Sequence, residues 1–538
     1  MTVPDATYLS DFHQYRAETD PDGACWTYLD RTWTWAEAWD DVRRLAGALQ
    51  AAGIGHGDRI ATLDKNNPAI LTATQACCLL GSANAVVNWR LAGDELDYVI
   101  NDSGARVLLV GQELMPQLQL IRDQLTTVER IIVIGDGTDG DGVDEYRPLL
   151  ASATPVDRQD DVDPHDPCLV MYSSGTTGRP KGVVLTQHNM VVHTRNAMGD
   201  ISYDDGDMML IAMPMFHVGG SSYALFGPAT GTHGYIIREV DPQLLAQAMM
   251  AGVTHAFLVP AVVAGLLQAG PEAMQLFSRL KAFSYGAAPM PLPVLRGALE
   301  HWPDTAFMQV YGMTEMGGVV TILDDAAHRD ALREGGRPER LVSAGKPIPG
   351  VEVRVVDTAT LTDVEPGASG ELWWRTEQAT PGYLGKPDAT AELLVDGGGA
   401  GPRAAEDAPW LRSGDVGRID DGGFVFIEDR VKDMIITGGE NVYSPEVERV
   451  LAEHPSVLEL AVIGVPDDHW GESVKAVVAF RPGESATAEE LTEFARERLA
   501  GYKVPRSIDV VEALPRNPSG KILKRDLRKP YWGDGRQV

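Results

Sequence analysis

Residues 172–183, Tyr-Ser-Ser-Gly-Thr-Thr-Gly-Arg-Pro-Lys-Gly-Val, interleave hydroxyl side chains with glycines and carry a lysine, Lys181, near their end. Glycine lets the backbone turn sharply and approach an anion closely, with its N–H groups exposed as donors. Hydroxyl groups add donors, and the lysine supplies a point charge suited to a polyphosphate. Residues 168–171 are apolar and predict a buried strand before the loop. The stretch therefore predicts a phosphate-binding loop, and the Gly-x-x-x-x-Gly-Lys-Ser/Thr spacing of a Walker A loop does not fit it.

The composition is that of a large, acidic globular protein. The chain has 538 residues, 44% of them hydrophobic, and its 77 acidic and 46 basic residues give a formal net charge of −31. This length predicts at least two domains, one of them large. The negative charge argues against binding to the phosphate backbone of nucleic acids and against docking on anionic lipid.

Cysteine usage and the N-terminus predict a cytoplasmic protein. The four cysteines, at positions 25, 77, 78 and 168, lack the spacing of metal ligands and are typical of buried thiols in a reducing compartment. The N-terminus lacks the basic and apolar regions of a signal peptide. The uncharged stretch 70–89 contains several polar side chains and Gly81, which predicts a buried helix and strand rather than a transmembrane segment. The sequence leaves open whether the protein visits a membrane surface or forms a homo-oligomer.

Helical and strand patterns alternate along most of the chain. Thr34 and Glu37 form a capping box ahead of apolar positions at helical spacing. Strand patterns occur at residues 59–63, 106–110, 130–134, 208–213 and 256–259, and a helical pattern at 242–251. Such alternation predicts an α/β fold with largely parallel sheets.

The chain restarts as a smaller α+β unit after residue 430. Ser444 as N-cap with Pro445 in the first turn predicts a helix, and a capping box at Thr487 and Glu490 predicts another. Strand patterns lie at residues 459–463 and 474–480. The sequence therefore predicts a large N-terminal domain with several subdomains, 1–430, and a small C-terminal domain, 431–538.

Six further motifs are each typical of an ordinary turn or charged surface when taken alone. They are residues 284–289 (Ser-Tyr-Gly-Ala-Ala-Pro), 311–315 (Tyr-Gly-Met-Thr-Glu), 411–415 (Leu-Arg-Ser-Gly-Asp), 429–433 (Asp-Arg-Val-Lys-Asp), 438–441 (Gly-Gly-Glu-Asn) and 515–525 (Pro-Arg-Asn-Pro-Ser-Gly-Lys-Ile-Leu-Lys-Arg). In this order, and together with the phosphate loop, they resemble the motif series of the adenylate-forming superfamily. That superfamily contains acyl-CoA synthetases, aryl-CoA ligases, firefly luciferase and the adenylation domains of peptide synthetases. The resemblance extends through essentially the whole chain.

The resemblance implies binding sites for ATP, Mg²⁺ and coenzyme A. Glu315 is implied as the Mg²⁺-associated carboxylate, and Gly438, Gly439 and Glu440 as the loop that approaches the active site for thioester formation. The implied nucleotide contacts are Ser173, Ser174, Gly175, Thr176, Thr177, Gly178, Lys181, Gly286, Ala287, Ala288, Gln309, Tyr311, Gly312, Thr314, Asp415 and Arg430.

The resemblance also implies a catalytic set: Thr176, Lys181, Glu315, Lys432 and Lys521. Lys521 would engage the substrate carboxylate and the α-phosphate during adenylation. Lys432 would be the hinge about which the small domain swings, so that two half-reactions share one site.

The implied substrate contacts are His217, Gly219, Gly220 and Met313, which resemble the pocket wall of fatty and aryl CoA ligases. Amino-acid-activating relatives carry an aspartate in the segment that aligns with residues 214–220, and this segment has no carboxylate. The resemblance is nearest to bacterial fatty acyl-CoA synthetases, so the expected substrate is a medium- or long-chain fatty acid. An aryl or other short or branched carboxylate, and a luciferase-like oxygenase, remain alternatives. The sequence gives neither the chain length nor the ring character of the acid, nor the pathway.

Overall fold

The computed structural model describes residues 4–91, 93–135, 144–173, 179–198, 201–395, 409–438, 440–467, 469–516 and 522–532. Contacts divide the chain into two compact units. The first contains Met1–Glu352 and Arg375–Leu411, and the second contains Val353–Trp374 and Arg412–Val538. The predicted α/β fold, with a large N-terminal part and a smaller C-terminal part, is confirmed. The predicted domain border between residues 430 and 431 stays a prediction. The hinge at Lys432, which concerns movement of the small domain, also stays a prediction.

The phosphate-loop hairpin belongs to a mostly parallel sheet of the first unit, which has eight strands among the described residues. In spatial order they are Gly382–Tyr383, Lys181–Thr186, Pro167–Ser173, Ala83–Val87, Arg59–Leu63, Val107–Gly111, Arg130–Ile134 and Asp144–Glu145. The six strands from Pro167–Ser173 onward are parallel, and the first two run antiparallel to their neighbours. The predicted loop thus joins two neighbouring antiparallel strands.

The other large sheet of the first unit has nine strands in the described part of the chain. In spatial order they are Lys346–Pro347, Gly318–Leu323, Ala306–Met313, Ala282–Gly286, His255–Leu258, Met208–Ile211, His233–Ile236, Ala24–Tyr28 and Arg31–Thr34. The strands from Ala306–Met313 to Ala24–Tyr28 are parallel, and the outer ones antiparallel. A short strand, Leu394–Val395, pairs antiparallel with Trp410 and Leu411, which are the first two residues of strand Trp410–Ile419.

Helices cover the sheets of the first unit. They are Asp11–Thr19, Trp35–Ala51, Pro68–Leu80, Asp94–Ser103, Met115–Gln119, Tyr146–Ser152, Gln187–Ala197, Val218–Ala224, Phe226–Thr230, Pro242–Ala251, Pro260–Gln268, Pro271–Phe277, Leu292–His301, Asp325–Leu332 and Pro387–Leu393. Local signals set their ends. The predicted capping box is present, since Thr34 accepts from the backbone of Glu37 at 3.2 Å and donates its own N–H to that side chain at 3.0 Å.

The uncharged stretch folds as predicted into helix Pro68–Leu80 and strand Ala83–Val87, joined through Gly81 at φ +63°. Every residue of that helix is buried. Across the described ranges, no helix combines the length and the apolar character needed to cross a membrane. The four cysteines are free and buried, and burial raises the pKa of Cys77 to about 12.

The second unit contains two smaller sheets. One is formed by Glu352–Val356, Gly370–Arg375, Trp410–Ile419 and Val425–Arg430, and the other by Glu440–Val442, Ile435–Thr437, Gly471–Phe480, Val457–Asp467 and Ser507–Val510. Its helices in the described ranges are Ser444–Ala452, Ala488–Arg496 and Lys524–Trp532. The capping box of Thr487 and Glu490 is confirmed, but the cap at Ser444 is wrong. The helix begins at Ser444 itself, and Tyr443 occupies the N-cap position.

Candidate active site

Two strand ends frame the predicted phosphate loop. Ser173 ends one strand, Lys181 begins the next, and the two residues are partners in the antiparallel register. The loop positions Ser174, Gly175, Thr176, Thr177 and Gly178 lie outside the described residues, as do Gly439 and Lys521. The roles of all seven stay predictions.

Glu315 is a buried carboxylate beside this frame, 6% exposed. Its Oε1 accepts hydrogen bonds from Ser173 Oγ at 3.2 Å and from the Tyr383 hydroxyl at 2.9 Å. Lys181 Nζ lies 5.0 Å from the centroid of the Tyr383 ring. Burial, with the charge of Glu315, raises the pKa of Tyr383, so this phenol stays a donor. Both hydroxyl bonds in the described residues go to Oε1, which leaves Oε2 as the atom that a hard cation could take.

The Tyr-Gly-Met-Thr-Glu motif runs off the end of strand Ala306–Met313, which also carries Gln309. Gly312 is required by close backbone packing, because a Cβ there would lie 1.8 Å from the carbonyl oxygen of Gly318. Thr314 begins a short 3₁₀ turn that contains Glu315. The neighbouring strand ends at Gly286, and the next residue, Ala287, has φ +65°.

A cavity of about 60 Å³ lies beside this motif in the first unit. It is lined by Ala197, Ile201, His217, Val218, Gly219, Ser222, Tyr223, Phe226, Phe257, Ser284, Ala287, Val310, Tyr311, Gly312, Gly318, Val319 and Ile322. The structure thus brings the predicted residues His217, Gly219, Ala287, Tyr311 and Gly312 to one cavity.

The predicted substrate contacts Gly220 and Met313, and the predicted nucleotide contacts Gly286, Ala288, Gln309 and Thr314, are not among its described lining residues. Gly220 packs against the backbone, since a Cβ there would lie 2.2 Å from the carbonyl oxygen of Pro214. Gly219 differs, because its Cβ would meet the Phe257 ring at 3.2 Å. His217 caps helix Val218–Ala224, and its Nδ1 accepts from the Gly219 N–H at 3.1 Å.

His193 is a fully buried residue behind the cavity wall. Its Nε2 accepts a hydrogen bond from the Val319 N–H at 3.0 Å, and its ring stacks on Phe226 at 6.2 Å between centroids. Burial lowers the pKa of His193 to about 4, so the ring is neutral at pH 7. The bond to Nε2 places the proton of this neutral ring on Nδ1.

Asp102 anchors the base of the phosphate hairpin to helix Asp94–Ser103. Its carboxylate accepts from the Tyr172 hydroxyl at 2.9 Å and pairs with Lys386 Nζ at 3.0 Å. On the same helix, the Tyr98 hydroxyl donates to the Pro180 carbonyl at 3.2 Å. One helix therefore fixes both ends of the predicted loop.

The sequence analysis did not single out Tyr383, Asp102 or His193. Tyr383 is 68 residues from Glu315 in the chain, and Asp102 is 70 residues from Tyr172. Their contacts join distant segments of the chain, and no local spacing rule predicts such contacts. A buried histidine on helix Gln187–Ala197 was the one available signal, and alone it is typical of an ordinary core residue.

In the second unit, Asp415 and Arg430 form an ion pair with 2.6 Å between Oδ1 and Nε. They are register partners in two antiparallel strands, and Asp415 is 3% exposed. Gly438 has φ +60° and donates to the Trp470 carbonyl at 2.9 Å, and a Cβ there would lie 2.7 Å from the Trp470 ring. Only glycine fits that turn, and Glu440, two residues further on, is exposed.

A buried charge cluster of the second unit surrounds the predicted hinge segment. Asp429 Oδ2 accepts from the Ser444 N–H at 2.6 Å and from the Ser444 hydroxyl at 2.9 Å, which explains why Ser444 does not cap its own helix. Lys524 Nζ donates to Ser444 Oγ at 2.5 Å and pairs with Glu448 at 2.8 Å. Burial raises the pKa of Asp429 to about 6 despite the nearby Lys524, and burial lowers the pKa of Lys432 to about 8.

The same hinge segment is bonded to the last helix. Arg528 pairs with the carboxylate of Asp433 at 2.6 Å, and it also donates to the Lys432 carbonyl at 3.3 Å. Helix Lys524–Trp532 thus contacts the hinge segment directly through Arg528, and Lys524 contacts it indirectly through Ser444, which donates to Asp429.

Comparison with known proteins agrees with the two-part organisation. The profile described as "AMP-binding enzyme" matches residues 13–384, and the one described as "AMP-binding enzyme C-terminal domain" matches residues 446–521. Among curated proteins, a fatty acid–[acyl-carrier-protein] ligase of Streptomyces coeruleorubidus is 35% identical, covering 98% of this chain and 96% of its own. A feruloyl-CoA synthase of an Amycolatopsis species is also 35% identical, with 96% and 97% covered.

A solved structure with the same fold carries a reaction intermediate. The o-succinylbenzoate CoA synthetase of Bacillus subtilis, in complex with the acyl-adenylate intermediate OSB-AMP, matches with a TM-score of 0.80 at 29% identity, covering 96% of this chain and 97% of that one. The same enzyme has been solved in complex with ATP and a magnesium ion, with a TM-score of 0.80 at 28% identity, covering 96% of this chain and 98% of that one.

Proposed function

Because the chain belongs to the AMP-binding enzyme family, we propose that it is an ATP-dependent ligase of a carboxylic acid and coenzyme A. The acid carboxylate attacks the α-phosphorus of ATP, the bond from that phosphorus to the bridging oxygen breaks, and acyl-AMP and pyrophosphate form. The thiol of CoA then attacks the acyl carbon, AMP leaves, and the thiol proton is released. The names of the relatives, among them CoA ligases for feruloyl, indoleacetate and succinylbenzoate groups, support this reaction class.

The observation that carries the proposal is the Glu315 cluster. Both partners of the first half-reaction are anionic, so the protein must neutralise charge and position the groups more than transfer protons. Lys181 and the Ser173 hydroxyl stand where the predicted phosphate loop leaves and re-enters the sheet. Glu315, oriented by Ser173 and Tyr383, would hold Mg²⁺, which would supply positive charge at the phosphates. A linker or structural loop has no need for a buried carboxylate fixed in this way.

The remaining roles are carried over from the family resemblance. We assign Asp415 and Arg430 to the ribose, Lys521 to the carboxylate and α-phosphate, and Lys432 to the hinge. Gly438 would belong to the loop that admits the CoA thiol, and its fixed positive φ is compatible with a backbone that must pass close to a ligand.

The proposal has alternatives for the thiol acceptor and for the acid substrate. The acceptor is CoA in the resemblance that covers the chain, whereas a relative at 35% identity is named for an acyl-carrier protein. The acid is a medium- or long-chain fatty acid in the nearest resemblance, and a long-chain-fatty-acid–CoA ligase of Mycobacterium tuberculosis is 33% identical over 91% of this chain and 91% of its own. Aryl acids, and a luciferase-like oxygenase, are the alternatives.

The test is acid-dependent ATP–pyrophosphate exchange over a panel of carboxylic acids, followed by AMP release with CoA or with a phosphopantetheinyl carrier protein. We expect exchange with at least one acid and AMP release with CoA. Glu315→Gln should lower the exchange rate by roughly 100- to 1000-fold, the loss typical of one preorganised electrostatic contact. Glu300→Gln, at an exposed position, is the matched control. Exchange that persists in Glu315→Gln would remove the basis for the Mg²⁺ assignment, and release with the carrier protein alone would change the acceptor.

A further inference from the structure

The cavity of the first unit constrains the acid, and we propose that it accepts a compact aryl acid in preference to a long acyl chain. This rests on the proposed function, because it names the substrate class of the same site. The proposal depends on two walls, one aromatic and one of glycine backbone, and on His193, which contacts both.

The aromatic wall consists of Tyr223, Phe226 and Phe257. The Tyr223 ring packs on each phenylalanine with 5.7 Å between centroids, at 72° to Phe226 and 57° to Phe257. These separations are typical of edge-to-face aromatic pairs. The three rings are 6%, 3% and 5% exposed. Because each ring is held by another, the wall is rigid.

The second wall is the end of the strand pair Ala306–Met313 and Gly318–Leu323, where Gly312 and Gly318 present backbone to the cavity. Gly318 has φ +137°, and a Cβ there would lie 2.5 Å from His193 Nε2. Gly312 is equally closed to a side chain by the backbone of Gly318. Neither position can carry a side chain, so glycine backbone lines the cavity at these two positions.

His193 fixes the distance between the walls. Its Nε2 accepts from the Val319 N–H beside the glycine wall, and its ring stacks on Phe226 of the aromatic wall at an interplanar angle of 7°. The small cavity lies between glycine backbone and packed rings, which favours a compact planar group. A long acyl chain would have to pass between rings that already contact one another. The Ser222 and Ser284 hydroxyls in the lining offer partners for a polar substituent on the ring.

The first experiment measures ATP-dependent thioester formation by the full-length protein with benzoate, phenylacetate, 4-hydroxycinnamate, hexanoate, dodecanoate and palmitate. We expect kcat/KM for the best aryl acid to exceed that for palmitate by about 100-fold, the size of discrimination that a packed pocket supplies. Dodecanoate or palmitate as the best substrate would overturn the proposal while leaving the ligase function intact.

The second experiment reads binding without turnover, using the sulfamoyl-adenosine analogues of a benzoyl and a dodecanoyl adenylate. The benzoyl analogue should bind more tightly than the dodecanoyl analogue. Tyr223→Ala should lower the ratio of the benzoyl affinity to the dodecanoyl affinity at least about tenfold, because it removes the ring that joins the other two. If Tyr223→Ala does not fold, Phe226→Leu replaces it in this experiment. That variant keeps an apolar side chain at the position and should shift the ratio in the same direction. Tyr15→Ala, an exposed tyrosine outside the cavity, is the control.

Equal or tighter binding of the dodecanoyl analogue by the unmodified protein would overturn the aryl preference. If no acid is converted to a thioester, the proposed function fails, and the binding comparison still decides whether the cavity prefers a ring.

Discussion

Glu315 in the first unit and Asp429 in the second are both buried carboxylates, but their surroundings differ. Glu315 receives its side-chain hydrogen bonds from hydroxyl groups, those of Ser173 and Tyr383, and no ion pair to it is formed by the described residues. Asp429 receives the backbone N–H and hydroxyl of Ser444, and the buried ammonium of Lys524 lies on the far side of that hydroxyl.

The difference distinguishes the proposed Mg²⁺ site from a cluster whose groups are bonded to one another. A buried carboxylate that is oriented by neutral donors keeps its negative charge available to an external cation. Asp429, by contrast, has its oxygen Oδ2 held by two donors of Ser444, and the nearby Lys524 offsets only part of the cost of burying its charge. We therefore expect substitutions at the first cluster to change catalysis, and substitutions at the second to change the stability of the second unit.

Lys524→Met tests the charge cluster around Asp429, and of these substitutions we expect it to have the largest effect on stability. Removing the ammonium leaves the buried Asp429 and the half-buried Glu448 without their nearest cation, and breaking a buried charge pair typically destabilises a protein by about 3–5 kcal/mol. Hydrogen exchange of the full-length protein should show this loss as reduced protection of Ser444–Ala452 and Lys524–Trp532. Lys529→Met, on the exposed part of the same helix, is the control. Adding Asp429→Asn should recover part of the loss, and strict additivity of the two changes would mean that the charges do not interact.

Asp429→Asn sharpens the comparison through its pH dependence. Burial raises the pKa of Asp429 from 3.8 to about 6, so its contribution to stability is fully present below pH 3.8 and is lost as the pH rises through 6. Asp429→Asn has no carboxyl group at this position, so it does not lose this contribution as the pH rises. Its stability relative to the unmodified protein should therefore rise between pH 4 and pH 7, by about 3 kcal/mol in total. The measurement is hydrogen exchange of the second unit at several pH values, with Asp526→Asn as the exposed control. A difference that falls with pH would contradict the assignment.

Tyr383→Phe is the mildest test, and it probes the site cluster. It removes one of two hydroxyl donors to Glu315, a bond that contributes about 1 kcal/mol. We expect a fall in the adenylation rate of about fivefold and a higher Mg²⁺ concentration for half-maximal rate. Tyr15→Phe provides the control. A loss as large as that of Glu315→Gln would show that the phenol acts in the chemistry and does not merely orient the carboxylate.

Much of the fold could be predicted because its signals are local. Strands Arg59–Leu63 and Arg130–Ile134 and helix Pro242–Ala251 have the predicted limits. The helix has Asp241 as N-cap, proline in its first turn and Gly252 after its end, so each boundary is encoded next to it. Other strands shift by a residue or more. The predicted strand 106–110 is Val107–Gly111, because Arg106 donates its N–H to Arg59 before the ladder begins.

The site was predictable where motifs carry its residues and not where packing does. Glu315 and Lys181 lie in recognisable stretches, whereas Tyr383 reaches Glu315 only because strand Gly382–Tyr383 pairs with Lys181–Thr186. The error at Ser444 has the same origin. Serine before a proline is a sound helix-start signal, but Asp429, 15 residues earlier, binds both its N–H and its hydroxyl. Competition from a distant acceptor does not appear in a local pattern.

The buried cysteines make it possible to monitor the unfolding of the two units separately. All four thiols belong to the first unit and are shielded from solvent, and the second unit contains no cysteine. A thiol-reactive dye added during denaturation therefore reports the opening of the first unit alone. The second unit can unfold without any change in dye labelling. Comparing the extent of thiol labelling with the unfolding of the whole chain therefore assigns each unfolding transition to one of the two units.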